Sequence, residues 1–124
     1  MIGIDIIKTD RMEKLLQKFG QKALQKFLSK EEIQLVHSPK TAAGFWAVKE
    51  AVSKALGTGI GKECGFKDIK IYKTEKNAPQ IALSHHLIEK YKIEETSVSI
   101  THDGEYAIAV VALRTLHVNP VKGF

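Results

Sequence analysis

With one cysteine in 124 residues, Cys64 has no partner within the chain, so no internal disulfide can staple this fold and nothing hints at secretion. Long apolar runs are missing too. The opening MIGIDIIKTD has no basic lead-in and carries an aspartate in its middle, so it reads as neither a signal peptide nor a membrane span. The expected compartment is the cytoplasm, with no membrane partner. No low-complexity stretch, long linker or internal repeat divides the chain, and a single domain over residues 1–124 is expected. A chain of this size builds one modest core, so oligomerisation would be a natural way to bury more surface. Aromatics are scarce on the strand-like segments, where an RNA-binding module would carry a stacking row.

What is present is basic. Nineteen Lys and Arg against fourteen Asp and Glu give a net charge of +5, which favours anionic partners without choosing among them. Residues 2–7 read as a strand in which Ile2, Ile4 and Ile6 alternate with Gly3, Asp5 and Ile7; Asp5 therefore faces away from the isoleucine row. Thr9 or Asp10 can cap a helix with Met12, Leu15, Leu16 and Phe19 on one side, stopped by Gly20. Leu24, Phe27 and Leu28 suggest a short helical piece, and Ser29 with Glu32 fits a capping box for the next. Residues 41–56 give the strongest helix signal, with Gly57 as its stop. Strands follow around Ile69–Ile71 and residues 80–83, joined by an Asn77-Ala78-Pro79 turn. Ser84 caps a helix through Tyr91. Val98 and Ile100 then alternate into a hairpin that turns near Asp103-Gly104 and returns over residues 106–113. The expected fold is α+β, with helices packed on a mostly antiparallel sheet.

The segment FWAVKEAVSKALG carries the most chemistry. At 100° per residue, Phe45, Val48, Val52, Ala55 and Leu56 share one side, while Glu50, Ser53, Lys54 and Gly57 share the other. Trp46 falls on that second face, where a ligand or another subunit is expected to cover it. By spacing alone, Glu50 and Lys54 form a surface i, i+4 ion pair. The glycines of GTGIGKECG do not form a phosphate loop, because they follow a helix and so sit at its negative end. His85 and His86 are adjacent on a helix and point apart, so they do not make a zinc pair. Cys64 reads as a quiet small residue. His102 ends an alternating strand beside a turn, from where it could reach a ligand.

Three separated segments resemble the holo-acyl-carrier-protein synthase family: GIDI at residues 3–6, WAVKEAVSKALGTGIG at 46–61, and SVSITH with the following AIAVV. Their order and spacing match over nearly the whole chain. The resemblance implies a 4′-phosphopantetheinyl transferase fold and transfer of phosphopantetheine from coenzyme A to a serine of apo acyl carrier protein, in support of fatty acid synthesis. It implies that Asp5 and Glu50 bind Mg2+, that Lys54 contacts coenzyme A phosphates in a catalytic role, and that Gly57, Pro79 and His102 line the coenzyme A site. Arg11 matches a basic position on a carrier-docking helix, which also bears Lys14 and Lys18. A homotrimer is implied, with sites at subunit interfaces; the apolar run 107–113 suits it. One departure is Phe45, where the family commonly has arginine; Lys40 and Lys62 are candidates for the missing cation. The base for the carrier serine stays open between Glu50 acting through a water and water activated by the metal. Against an RNA-binding reading, a KH-type glycine loop needs a helix directly after it, and residues 66–73 read as a strand. A structural trimer with a vestigial site is the remaining alternative.

Overall fold

The computed structural model describes residues 1–116 and 120–124. Its elements run β1 (Ile2–Lys8), α1 (Thr9–Phe19), α2 (Gln21–Gln25), α3 (Lys30–Ile33), α4 (Pro39–Leu56), a 3-10 turn (Phe66–Asp68), β2 (Ile69–Lys73), β3 (Pro79–Leu83), α5 (His85–Tyr91), β4 (Ile93–Asp103) and β5 (Tyr106–Thr115). The α+β expectation is met, although the strands divide into two antiparallel sheets: one ordered β1-β5-β4, the other the β2-β3 pair.

Helix α4 is the axle. Ser38 caps its start and Pro39 sits in its first turn, where a missing amide costs nothing. Gly57, at φ 78°, ends it in the left-handed conformation that glycine tolerates best. Five alanines let it approach its neighbours closely, and Phe45, Val48 and Val52 fill the space beneath the larger sheet. The closest approach is to β1. A Cβ on Gly3 would collide with the Ala51 carbonyl oxygen and stand 2.7 Å from the Ala55 nitrogen, so the strand can lie on the helix only because residue 3 has no side chain.

Strand β1 keeps the expected alternation. Gly3 and Ile7 are buried under α4, Asp5 is half-buried on the same face, and Ile2, Ile4 and Ile6 point outward at 74%, 58% and 57% exposure. The run 107–113 splits the same way: Ala107, Ala109, Val111 and Leu113 enter the core, while Ile108, Val110 and Ala112 join the isoleucines on the outer face. The hairpin turns over Gly104-Glu105, with Gly104 at φ 58°.

Two local expectations are corrected. Neither Thr9 nor Asp10 caps α1. The cap position is Lys8, and the Thr9 amide instead donates to the Glu105 carbonyl at 2.7 Å, so the hairpin turn supplies the acceptor that a side chain would have offered. Residues 66–73 are not all strand, because Phe66–Asp68 forms a 3-10 turn first. Trp46 is half-buried within its own chain, packed edge-on to Phe27 at 5.1 Å and tilted against Phe66 at 5.0 Å between centroids.

Candidate active site

Asp5 reaches the far half of α4 because Gly3, one pleat earlier on the same face, lets β1 lie against the helix. The Lys54 Nζ donates to Asp5 Oδ1 at 2.7 Å, bridging strand and helix. The i, i+4 pairing with Glu50 that spacing suggests does not form; Asp5 is the better partner because its carboxylate is largely buried. Burial, and then the negative charge of Asp5, hold the Glu50 carboxyl above its ordinary range, while Lys54 and Arg11 pull it back. Asp5, Glu50, Lys54 and Arg11 thus form one electrostatic cluster. Arg11, in the first turns of α1, stands at the rim of the acidic corner.

Ser53 does not belong to this face in the way its position suggests. It is fully buried, and its hydroxyl donates back to the Glu50 carbonyl at 2.7 Å. Its own carbonyl accepts from the amides of Thr58 and Gly59. These bonds close the end of α4, where Gly57 donates to the Lys54 carbonyl at 3.0 Å. The glycine-rich stretch therefore stands at a helix carboxyl end, and an anion there must be held by side chains such as Lys54. Among the described residues, no group of three or more His, Cys, Asp or Glu side chains is arranged to hold a metal. Cys64 is buried and its thiol is pushed up to about 11, which leaves it unreactive. His86 pairs with Asp68 at 2.8 Å and not with His85.

Pro79 and His102 meet elsewhere, in a cavity of about 190 Å³ lined by Thr41, Gly44, Phe45, Lys73, Pro79, Ile100 and His102. The His102 Nε2 lies 3.0 Å from the Lys40 carbonyl. A carbonyl only accepts, so Nε2 carries the proton. Gly44 permits the approach, since a Cβ there would come within 3.2 Å of Ile100 Cγ2. Phe45, 1% exposed, is core as well as cavity floor. A cation that neither expectation named also stands here: the Lys73 Nζ sits 5.8 Å from the Phe45 ring centroid and makes no ion pair among the described residues. The sequence carried a signal for it. The inward alternation Ile69, Ile71 continues to residue 73, so its lysine faces α4.

The profile of the 4′-phosphopantetheinyl transferase superfamily matches residues 1–111. The chain belongs to that superfamily. It is 58% identical over 121 residues to the holo-[acyl-carrier-protein] synthase of Sulfurimonas denitrificans, covering 98% of this chain and all of that one. The crystal structure of the Helicobacter pylori holo-[acyl-carrier-protein] synthase in complex with coenzyme A superposes with a TM-score of 0.89 at 50% identity, covering 92% of this chain and 100% of that one. The Bacillus anthracis synthase, in complex with CoA (3′,5′-ADP), gives 0.77 at 36% identity, over 92% and 95%. As a member of the superfamily, this phosphopantetheinyl transferase is an enzyme, and its α+β fold is the transferase fold.

Proposed function

We propose that the chain is a cytoplasmic holo-acyl-carrier-protein synthase that works as a trimer and uses magnesium held by Asp5 and Glu50. It transfers 4′-phosphopantetheine from coenzyme A to a serine of apo acyl carrier protein, supplying the carrier for fatty acid synthesis. The observation that carries the site is the meeting of Asp5, Glu50 and Lys54 across β1 and α4, from positions 45 residues and more apart.

In this reaction the serine oxygen bonds to the β-phosphorus of the pyrophosphate. The bond from that phosphorus to the bridging oxygen breaks, and adenosine 3′,5′-bisphosphate leaves. The donor set fits magnesium, which typically takes one or two protein carboxylates and fills its shell with phosphates and waters. The Lys54 ammonium already rests on Asp5 as a counter-cation, and the Glu50 carboxyl, raised first by burial and then by the charge of Asp5, is an anion that a divalent ion would relieve. Bound there, magnesium would offset the charge that gathers on the phosphate oxygens. Lys54 lends a positive charge where the leaving phosphate gains its negative one. Glu50, held above the usual carboxylate range, is suited to receive the serine proton through a water. On α1, Arg11, Lys14 and Lys18 would attract an acidic carrier domain.

Trimer formation is supported by two features. The outer face of the larger sheet is apolar, with Ile2, Ile4, Ile6 and Val110 exposed together. The residues read as the site also fall into two groups on α4. The Thr41–Phe45 group is separated from Glu50 and Lys54 by about 13 Å along the axis and roughly 150° around it. Two half-sites facing apart on one subunit complete each other when subunits associate. The test is to incubate the protein with coenzyme A, magnesium and an apo carrier, and to weigh the carrier by mass spectrometry. One phosphopantetheine added, and lost when magnesium is chelated, is the expected result. A carrier left unmodified at saturating substrate sinks the reading.

A further inference from the structure

Lys49, the first residue of the KEA segment, has no place in the chemistry above, yet it is one of the most buried groups in the molecule, at 1% exposure. Its Nζ donates to Glu32 Oε1 at 2.9 Å, to the Phe27 carbonyl at 2.7 Å and to the Phe66 carbonyl at 3.1 Å. All three protons are used. Burial lowers the Lys49 pKa and Glu32 restores part of it. The same Glu32 oxygen accepts the Ser29 amide at 2.8 Å, and the other, Oε2, accepts the Ile71 amide at 2.9 Å. The Glu32 of the capping box thus does more than close α3. It takes up an edge amide of β2 and joins it, through Lys49, to the middle of α4.

That amide lies on the strand that carries Lys73. Ile69 and Ile71 are buried against α4, and Lys73, two residues on and so about 6.6 Å along the strand, is the next side chain on that face. The cavity that holds Phe45, Lys73, Pro79 and His102 takes one wall from α4 and another from the β2-β3 pair. Among the described residues, no backbone hydrogen-bond ladder joins this small sheet to the larger one. Its placement against α4 therefore rests on side-chain contacts, of which the Lys49–Glu32–Ile71 connection is a buried, directional one.

We propose that Glu32 and Lys49 are positioning residues for the nucleotide end of coenzyme A: by tying β2 to α4 they set Lys73 over the Phe45 floor of the cavity. This rests on the reading of that cavity as the nucleotide half-site. A pair that served folding alone would alter stability, or all kinetic constants together, and would be indifferent to Lys73.

The test combines Glu32→Asp, Lys73→Met and the paired Glu32→Leu/Lys49→Met. The aspartate keeps the charge but is one methylene too short to serve both Ile71 and Lys49. The paired variant leaves no buried charge stranded and keeps the test open if the aspartate variant folds poorly. Each is assayed well below its melting temperature, with KM measured separately for coenzyme A and for the carrier. Glu32→Asp should raise KM for coenzyme A about 5- to 10-fold, with kcat and carrier KM within about twofold. On the Lys73→Met background the same change should add less than about twofold, since the residue it positions is gone. Full additivity with Lys73→Met, or an effect confined to the melting temperature, overturns the proposal. If Lys73→Met leaves KM for coenzyme A unchanged, the cavity is not the nucleotide half-site and the proposal falls with it. If Lys73→Met raises KM while neither Glu32 variant does, the cavity reading stands and only the positioning role is lost.

Discussion

Glu50 bears the clearest conflict between stability and function. Burial first and Asp5 second raise its carboxyl above the ordinary value of 4.5, so folding disfavours its ionised form. The sign follows from linkage. Stability from a raised acid is fully present below the unfolded pKa and is lost as pH rises through the folded one. At neutral pH the chain therefore carries a penalised anion. Glu50→Gln removes that penalty. Its melting temperature should exceed the parent's at pH 7, with the gap closing as pH falls below about 4.5. Its transfer rate should drop at least ~10²-fold. Magnesium should raise the parent's melting temperature at pH 7 and leave that of Glu50→Gln nearly unmoved. A variant that melts lower than the parent at pH 7 would contradict the raised carboxyl. Phe45 teaches the complementary lesson. Its place on the apolar stripe of the helix was plain in the sequence, and it is core. The cation that faces it, Lys73, comes from a strand 28 residues later, and only the alternation begun by Ile69 pointed to it.

At the scale of elements, the helix over 41–56, the final hairpin and the Ser29–Glu32 capping box were legible because each is a local pattern: a 3.6-residue stripe, a two-residue alternation, an i, i+3 pair. What was not legible depends on elements meeting. The second role of Glu32 needs Lys49, 17 residues away, and Ile71, 39 away. Nothing local shows that Phe27 and Phe66 fold against Trp46. Gly3 is the sharpest case. In sequence it is one glycine in a strand, while in the fold it decides how near β1 comes to α4. Gly3→Ala should cost about 2–3 kcal/mol, as overpacking does when backbone must move. Since Asp5 lies two residues on, the same change should cut turnover more than tenfold and raise the magnesium concentration needed for half-maximal rate. A calorimetric melt and a magnesium titration check the two parts. An alanine variant that melts like the parent would show that β1 and α4 are not held at this approach.

The whole molecule poses a problem that one chain does not solve. Asp5, Glu50 and Lys54 face one side of α4, while Lys73, Pro79 and His102 gather on another, and the apolar outer face of the sheet lies open. If sites form between subunits, each takes its acidic half from one chain and its nucleotide half from the next. Two defective variants can then repair each other. Asp5→Asn loses the acidic half and keeps the nucleotide half; Lys73→Glu does the reverse. Each alone should be nearly inactive at coenzyme A concentrations well below KM. Mixed one to one and allowed to exchange subunits, they should recover up to about one quarter of the parental rate. A site works only when its acidic half comes from a Lys73→Glu chain and its nucleotide half from an Asp5→Asn chain, and the two one-half chances multiply. Light scattering on the same mixture should report three subunits throughout. A site built wholly within one chain gives no recovery at any mixing ratio, because every chain then keeps its own defect. Trimers with no recovered activity would therefore leave the assembly intact and remove the shared site.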